Sequence, residues 1–141
     1  LAREVTLHRS PDGIPVLHQH PVLPDDLLQH RVVVPAGDRS TLTLTTKEGL
    51  DPLVLTVDAT RDRLVLDRSG CGDVTFSPDF PTVVEAPLPE HEGNGGADGE
   101  VDVLVVVDAS VVEVYALDGA LALTAQVFPS TPLTTVRADP T

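Results

Sequence analysis

The sequence has no tryptophan and no methionine, and its aromatic rings amount to three phenylalanines and one tyrosine. A core without large rings must be built from Val and Leu, which the 41% hydrophobic content supplies. There is a single cysteine, Cys71, so no internal disulfide can close and no CxxC pair offers zinc ligands. Cations are scarce: 9 Lys and Arg stand against 22 Asp and Glu, a formal charge of −13. Such a polyanion repels phosphate backbones and anionic lipid, which argues against nucleic-acid and membrane partners. No apolar run approaches the ~20 residues of a membrane-spanning helix. The opening "LAREVTLHRS" is strand-like rather than basic-then-apolar, so no signal peptide is read there, and the compartment stays open. An initiator Met is also missing, and the chain reads as a fragment of something longer.

Helical periodicity is almost absent. Alternating, β-branched runs take its place, punctuated by Pro, Gly and Asp. "REVTL" and "IPVLHQ" predict two strands around the turn "SPDG", and "PVLPDDLLQH" is a proline-rich connector. "RVVVPAG" opens the next block. "STLTLTT", "PLVLTVDAT", "DRLVLDRS", "DVTF", "TVVEAPL" and "PLTTVR" predict further strands, with a hairpin around Thr60 to Asp62. Glu90 to Asp102, carrying four glycines and five acids, is too polar to bury and reads as a solvated loop. It lacks the ligand order of an EF-hand. Roughly ten to twelve short strands at this spacing predict an all-β fold, a two-layer antiparallel β-sandwich or a barrel. Val101 to Val107 is apolar at every second position on both faces, as a strand covered on both sides would be.

The stretch "VVVDASVVEVYALDGALALTAQV", Val105 to Val127, predicts three strands joined by turns at Ala109-Ser110 and Asp118-Gly119. Alternation puts Val111, Glu113, Tyr115 and Leu117 on one face and Val112, Val114 and Ala116 on the other. Glu113 is then an acid among apolar neighbours, and it needs a partner. A glycosidic reaction would require a second carboxyl facing it, about 5 Å away for retention. No such acid can be identified, so Glu113 is expected to brace the sheet, with Arg68 as the expected partner.

Other candidates have plain readings. His18 and His20 fall on one strand face and, with His30, Asp25 or Asp26, could hold zinc; only two ligands are fixed by sequence, so no metal site is assigned. Ser69 and Cys71 in "LDRSGCG" lack the G-x-S-x-G elbow of a nucleophile and fit a turn.

"LVLDRSGCGDVTFSPDF" and "VDVLVVVDASVVEVYALDGALALTAQVFP" together resemble the C-terminal β-sandwich domain of glycoside hydrolase family 32, which includes levanases, inulinases, invertases and sucrose-6-phosphate hydrolases. The matching elements are Asp67-Arg68-Ser69-Gly70, Phe80, Asp108 to Tyr115, Asp118-Gly119, Leu123-Thr124 and Phe128-Pro129. "LAREVTL" and "VLHQHPV" are similar to the segments that close the family's catalytic domain. Tyr115 stands where Phe is usual, and Cys71 where Ser is common.

The resemblance implies a jelly-roll, lectin-like sandwich over residues 30–141, preceded by a connector over residues 1–29 with remnant strands of the catalytic domain. It also implies a partner, the family's five-bladed propeller, where the active site lies. The propeller's "WMNDPNG"-like, "RDP" and "EC" motifs have no counterpart here, so no catalytic residue carries over. Cofactor-binding and metal residues are likewise expected to be none. The expected role is a non-catalytic accessory domain of a fructan- or sucrose-cleaving enzyme. The alternative is a carbohydrate-binding module for fructan, disfavoured because Phe76, Phe80, Phe128 and Tyr115 are all expected to pack inside. Residues 1 to about 28 are expected to pack less firmly than the rest.

Overall fold

The computed structural model describes residues 1–89 and 99–140. The strands in chain order are β1 (Arg3–Arg9), β2 (Pro15–Pro21), β3 (Leu28–Val34), β4 (Arg39–Thr46), β5 (Leu53–Asp58) and β6 (Arg63–Asp67). Then come β7 (Val83–Pro87), β8 (Val101–Asp108), β9 (Val111–Ala116), β10 (Leu121–Gln126) and β11 (Leu133–Pro140). No helix occurs among the described residues. One sheet runs β10-β9-β8-β3 and a second runs β11-β4-β5-β6-β7, while β1 and β2 form a separate hairpin. Every ladder between these strands is antiparallel.

The two larger sheets pack face to face as a sandwich. Leu42, Leu44, Leu53, Leu55, Leu64 and Leu66 come from one sheet, and Val103, Val105, Val107, Val112, Val114 and Ala116 from the other. Their period of two is the pleat itself: alternate side chains enter the core and the rest face out. Leucine on one sheet meets β-branched valine on the other, which fills the space between the layers without aromatic rings. β8 is covered on both sides, as its sequence predicts. Its outward residues Leu104 and Val106 join Tyr115 in a second cluster beneath Leu1, Leu23, Leu27 and Ala122. The lid on that face is therefore the chain's own N-terminal segment.

Four local expectations need correction. "DVTF" forms no strand; only Gly72 bridges to Phe128 there. Most of the acidic stretch lies outside the described residues, but Asp102 belongs to β8 rather than to a loop. The turn after β9 has four residues, because Ala116 pairs with Leu121, although Asp118 and Gly119 do take positive φ as read from the sequence. Leu117 shares that positive φ (54°), so it leaves the strand's alternation and turns into the main core instead of staying beside Glu113. The hairpin over Asp58 to Arg63 and the two-residue turn at Ala109-Ser110 agree with the structure.

Candidate functional site

Glu113 is 3% exposed on the outer face of β9, beneath the N-terminal segment. The Tyr115 hydroxyl, two residues along the same face, donates to its Oε2. The Leu1 amino group donates to Oε1 at 3.2 Å, and Arg3 Nη2 lies 3.4 Å from the same oxygen. Arg3 also donates to Gln19 Oε1 at 2.7 Å and to Thr124 Oγ1 at 2.6 Å, and its guanidinium lies 5.4 Å from the Tyr115 ring centre. Arg3 thus ties together β1, β2, β9 and β10.

Burial acts to raise the Glu113 pKa. The hydrogen bonds from Tyr115 and the terminal amino group, with the charge of Arg3, outweigh it and hold the carboxyl below its ordinary value of 4.5. Burial and the bond to Glu113 push the Tyr115 phenol the other way, to about 12. A buried carboxylate held in its ionised form and engaged by Tyr115 and Arg3 is suited to bracing the sheet. The expectation that Glu113 braces a sheet agrees with this geometry. The expected partner was wrong: it is Arg3, carried on "REVTL", and not Arg68.

Arg68 serves elsewhere. It is 6% exposed, and its Nε and Nη1 donate to the Pro81 and Gln126 carbonyls at 2.7 and 2.6 Å. Its guanidinium stacks 3.8 Å over the Phe80 ring. This arginine clips the 68–82 connection to the end of β10, and burial lowers its pKa. Next to it, Ser69 Oγ donates to Asp67 Oδ1 at 2.6 Å, which is a turn bond. Cys71 is 1% exposed, and burial, aided by Asp51, raises its thiol pKa to about 11, so it is no thiolate nucleophile at neutral pH.

The phenylalanines depart from expectation. Phe76, Phe80 and Phe128 cluster, with centroids 4.8 Å apart for Phe76–Phe80 and 5.1 Å for Phe76–Phe128. The cluster is at the surface, and Phe76 is 56% exposed. Of the four rings, only Tyr115 is buried. Since "DVTF" makes no strand, nothing carries Phe76 into the core.

His18 and His20 share a face of β2 as read, but the third member of their group is Asp118, from the β9–β10 turn. One ligand atom from each of the three lies within 4.8 Å of the others. His18 Nδ1 is 2.9 Å from the Asp118 carbonyl oxygen and 3.7 Å from Oδ2, and His20 Nε2 is 3.0 Å from Oδ1. The expected companions are elsewhere. His30, on β3, pairs opposite Val105 of β8, and Asp25 and Asp26 line a separate hollow with Pro132 and Leu133. Asp118 reads in sequence only as a turn residue, and no local pattern marks it as a partner of residues 98 and 100 positions away.

Comparison with known proteins gives a consistent picture. The family model "Glycosyl hydrolases family 32 C terminal" matches residues 31–139. An extracellular exo-inulinase of Aspergillus awamori is 38% identical over 73 residues, which is 52% of this chain and 13% of that protein. A glycosyl hydrolase of Aspergillus rugulosus is 36% identical over 72 residues, covering 51% and 10%. Among solved structures, the sucrose-6-phosphate hydrolase of Lactobacillus gasseri aligns with TM-score 0.71 at 21% identity over 97% of this chain and 30% of that one. The A. awamori exo-inulinase aligns with TM-score 0.67 at 22% identity, over 99% and 32%. The chain therefore spans about a tenth of its curated relatives and about a third of its structural neighbours.

Proposed function

This chain belongs to the C-terminal domains of family 32 glycosyl hydrolases, and we propose that it is the non-catalytic accessory sandwich of a β-fructosidase that cleaves fructan or sucrose. The boundary proposed is a connector over residues 1–29 and a sandwich over 30–141. Its partner is the catalytic propeller of the same parent chain.

The observation that carries this reading is the apolar surface of the hairpin. Val5, Leu7 and Leu17 share one face in the β1–β2 register and are 54%, 68% and 58% exposed. Ile14 and Val22 nearby are 61% and 58% exposed. Contiguous exposed aliphatic side chains mark a surface that another body covers. Glu113, the most buried carboxylate among the described residues, is committed to Arg3 and Tyr115, which supports a bracing rather than a catalytic role for it.

Two measurements test the proposal. The 141-residue chain, incubated with sucrose, inulin and levan, should release no fructose above buffer; turnover that follows the purified chain refutes the non-catalytic role. In the parent enzyme, Leu7→Asp with Leu17→Asp should lower the melting temperature of the catalytic domain while the isolated sandwich keeps its own. An unchanged melting temperature in the parent refutes the packing role.

The exposed Phe76 favours one second reading, carbohydrate binding. An apolar ring open to solvent can stack on the flat face of a sugar. Titration with inulin and levan oligosaccharides, repeated with Phe76→Ala, separates the two: binding that the substitution abolishes supports a fructan-binding module.

A further inference from the structure

We propose that His18, His20 and Asp118 form a binding site for a divalent transition-metal ion of the zinc class, one that fastens the N-terminal hairpin to the sandwich. Sequence alone supplied two ligands on one strand, and two are too few to hold a metal specifically. The fold supplies the third. The Asp118 side chain reaches both histidines, and its main-chain carbonyl oxygen, 2.9 Å from His18 Nδ1, stands where a fourth ligand would, the second oxygen of the set.

The spacing suits a small ion. Ligands about 2.0–2.2 Å from a tetrahedral centre stand roughly 3.3–3.6 Å from one another. One ligand atom from each residue lies within 4.8 Å of the others, with 3.0 Å from His20 Nε2 to Oδ1 and 3.7 Å from His18 Nδ1 to Oδ2, so shifts of about 1 Å bring the set to that spacing. Two imidazole nitrogens with one carboxylate select zinc, nickel, cobalt or copper over calcium or magnesium, which prefer oxygen alone.

The ligands are also held in place and reachable. His18 is 2% exposed, and its ring stacks on that of His8 with centroids 3.9 Å apart, which fixes its orientation. Gln19, between the two histidines, bonds through its N–H to the Gly119 carbonyl at 2.9 Å, so strand and turn are already docked. The His20 and Asp118 side chains are 38% and 62% exposed and line an open cleft, which gives an ion its way in. Glu4 stands opposite His20 in the register and adds negative charge on that face. Arg31, which lines the same cleft, is held by Asp102. A chain of net charge −13 attracts cations to such a site.

The test is zinc titration of the EDTA-stripped 141-residue chain by calorimetry, with cobalt absorption as a second probe. One ion should bind per chain. Asp118→Asn keeps the left-handed turn but removes the charge, and His20→Gln removes a nitrogen; each should weaken binding about tenfold or more. His30→Gln should leave it unchanged. Circular dichroism of each variant confirms the fold independently of binding. Zinc should also slow hydrogen exchange of the Val5 and Leu7 amides, a readout that scattered surface carboxylates would not move. A folded chain that takes up no zinc at millimolar concentration overturns the proposal. So does binding that persists unchanged in both Asp118→Asn and His20→Gln.

Discussion

Glu113 is a charge placed where a charge is costly, and its surroundings say what its removal does. Glu113→Ala leaves the Arg3 guanidinium beside a hydrophobic cluster without its anion and strands the Tyr115 hydroxyl. Removing the anion from a half-buried guanidinium and the acceptor from a buried hydroxyl should destabilise the domain by about 1–3 kcal/mol, read from urea unfolding midpoints. A change near zero would remove the bracing role. The pH dependence has a definite sign. The folded pKa is lower than the ordinary 4.5, so the unfolded chain binds more protons as acid is added. The stabilisation is present above that ordinary value and is lost as pH falls through the folded pKa, and the loss should be shallower in Glu113→Gln. Tyr115 behaves in the opposite sense. Its folded pKa is raised to about 12, so its contribution is complete below the ordinary 10.0 and disappears as pH rises toward the folded value. With one tyrosine and no tryptophan, absorbance of the phenolate reports it directly. The native midpoint should fall well above that of the urea-unfolded chain; equal midpoints would show an exposed ring.

Among the elements, the four-residue turn between β9 and β10 carries more than a chain reversal. Gly119 has φ 80°, and a Cβ there would overlap the Gln19 carbonyl. Gly49 has nearly the same φ, 77°, but open space around it. Gly49→Ala should therefore cost about 1 kcal/mol, the left-handed backbone penalty alone. Gly119→Ala should cost on the order of 3 kcal/mol, because it also pushes β2 off the turn. Chemical denaturation of the two variants isolates the hairpin contact as their difference. Equal costs would mean that β2 does not press on this turn in solution.

Across the whole molecule, stability should be uneven. The sandwich core is closed on both sides, whereas the β1–β2 hairpin shows solvent a row of aliphatic side chains and is held by a few polar ties at one end. Amide exchange tracks local opening, so the Val5 and Leu7 amides should exchange faster than Val103 to Val107 in the metal-free chain. Matching rates would show that the hairpin opens only with global unfolding. In the parent enzyme the covered hairpin should be protected instead, which distinguishes a docking element from a loose end.

The sandwich was legible in the sequence because its signal is local. The strands β4, β5 and β6 show the period of two in a window of a few residues, and β8 announces through its apolar run Val103 to Val107 that both faces are covered. Gly and Asp at the turns, and the paired "LDRS" and "VDASVVEVY" segments, are equally local. The site at the hairpin was not legible, since it depends on which distant segments meet. Arg3 rather than Arg68 reaches Glu113 because the hairpin folds back across β9, and Asp118 meets His18 and His20 across about a hundred residues of chain. A side chain's alternation tells which face it takes, but only the closing of those long loops decides what lies opposite. Phe76 shows the same limit from the other side: its apolar character predicts burial, and an irregular connection between sheets leaves it in water.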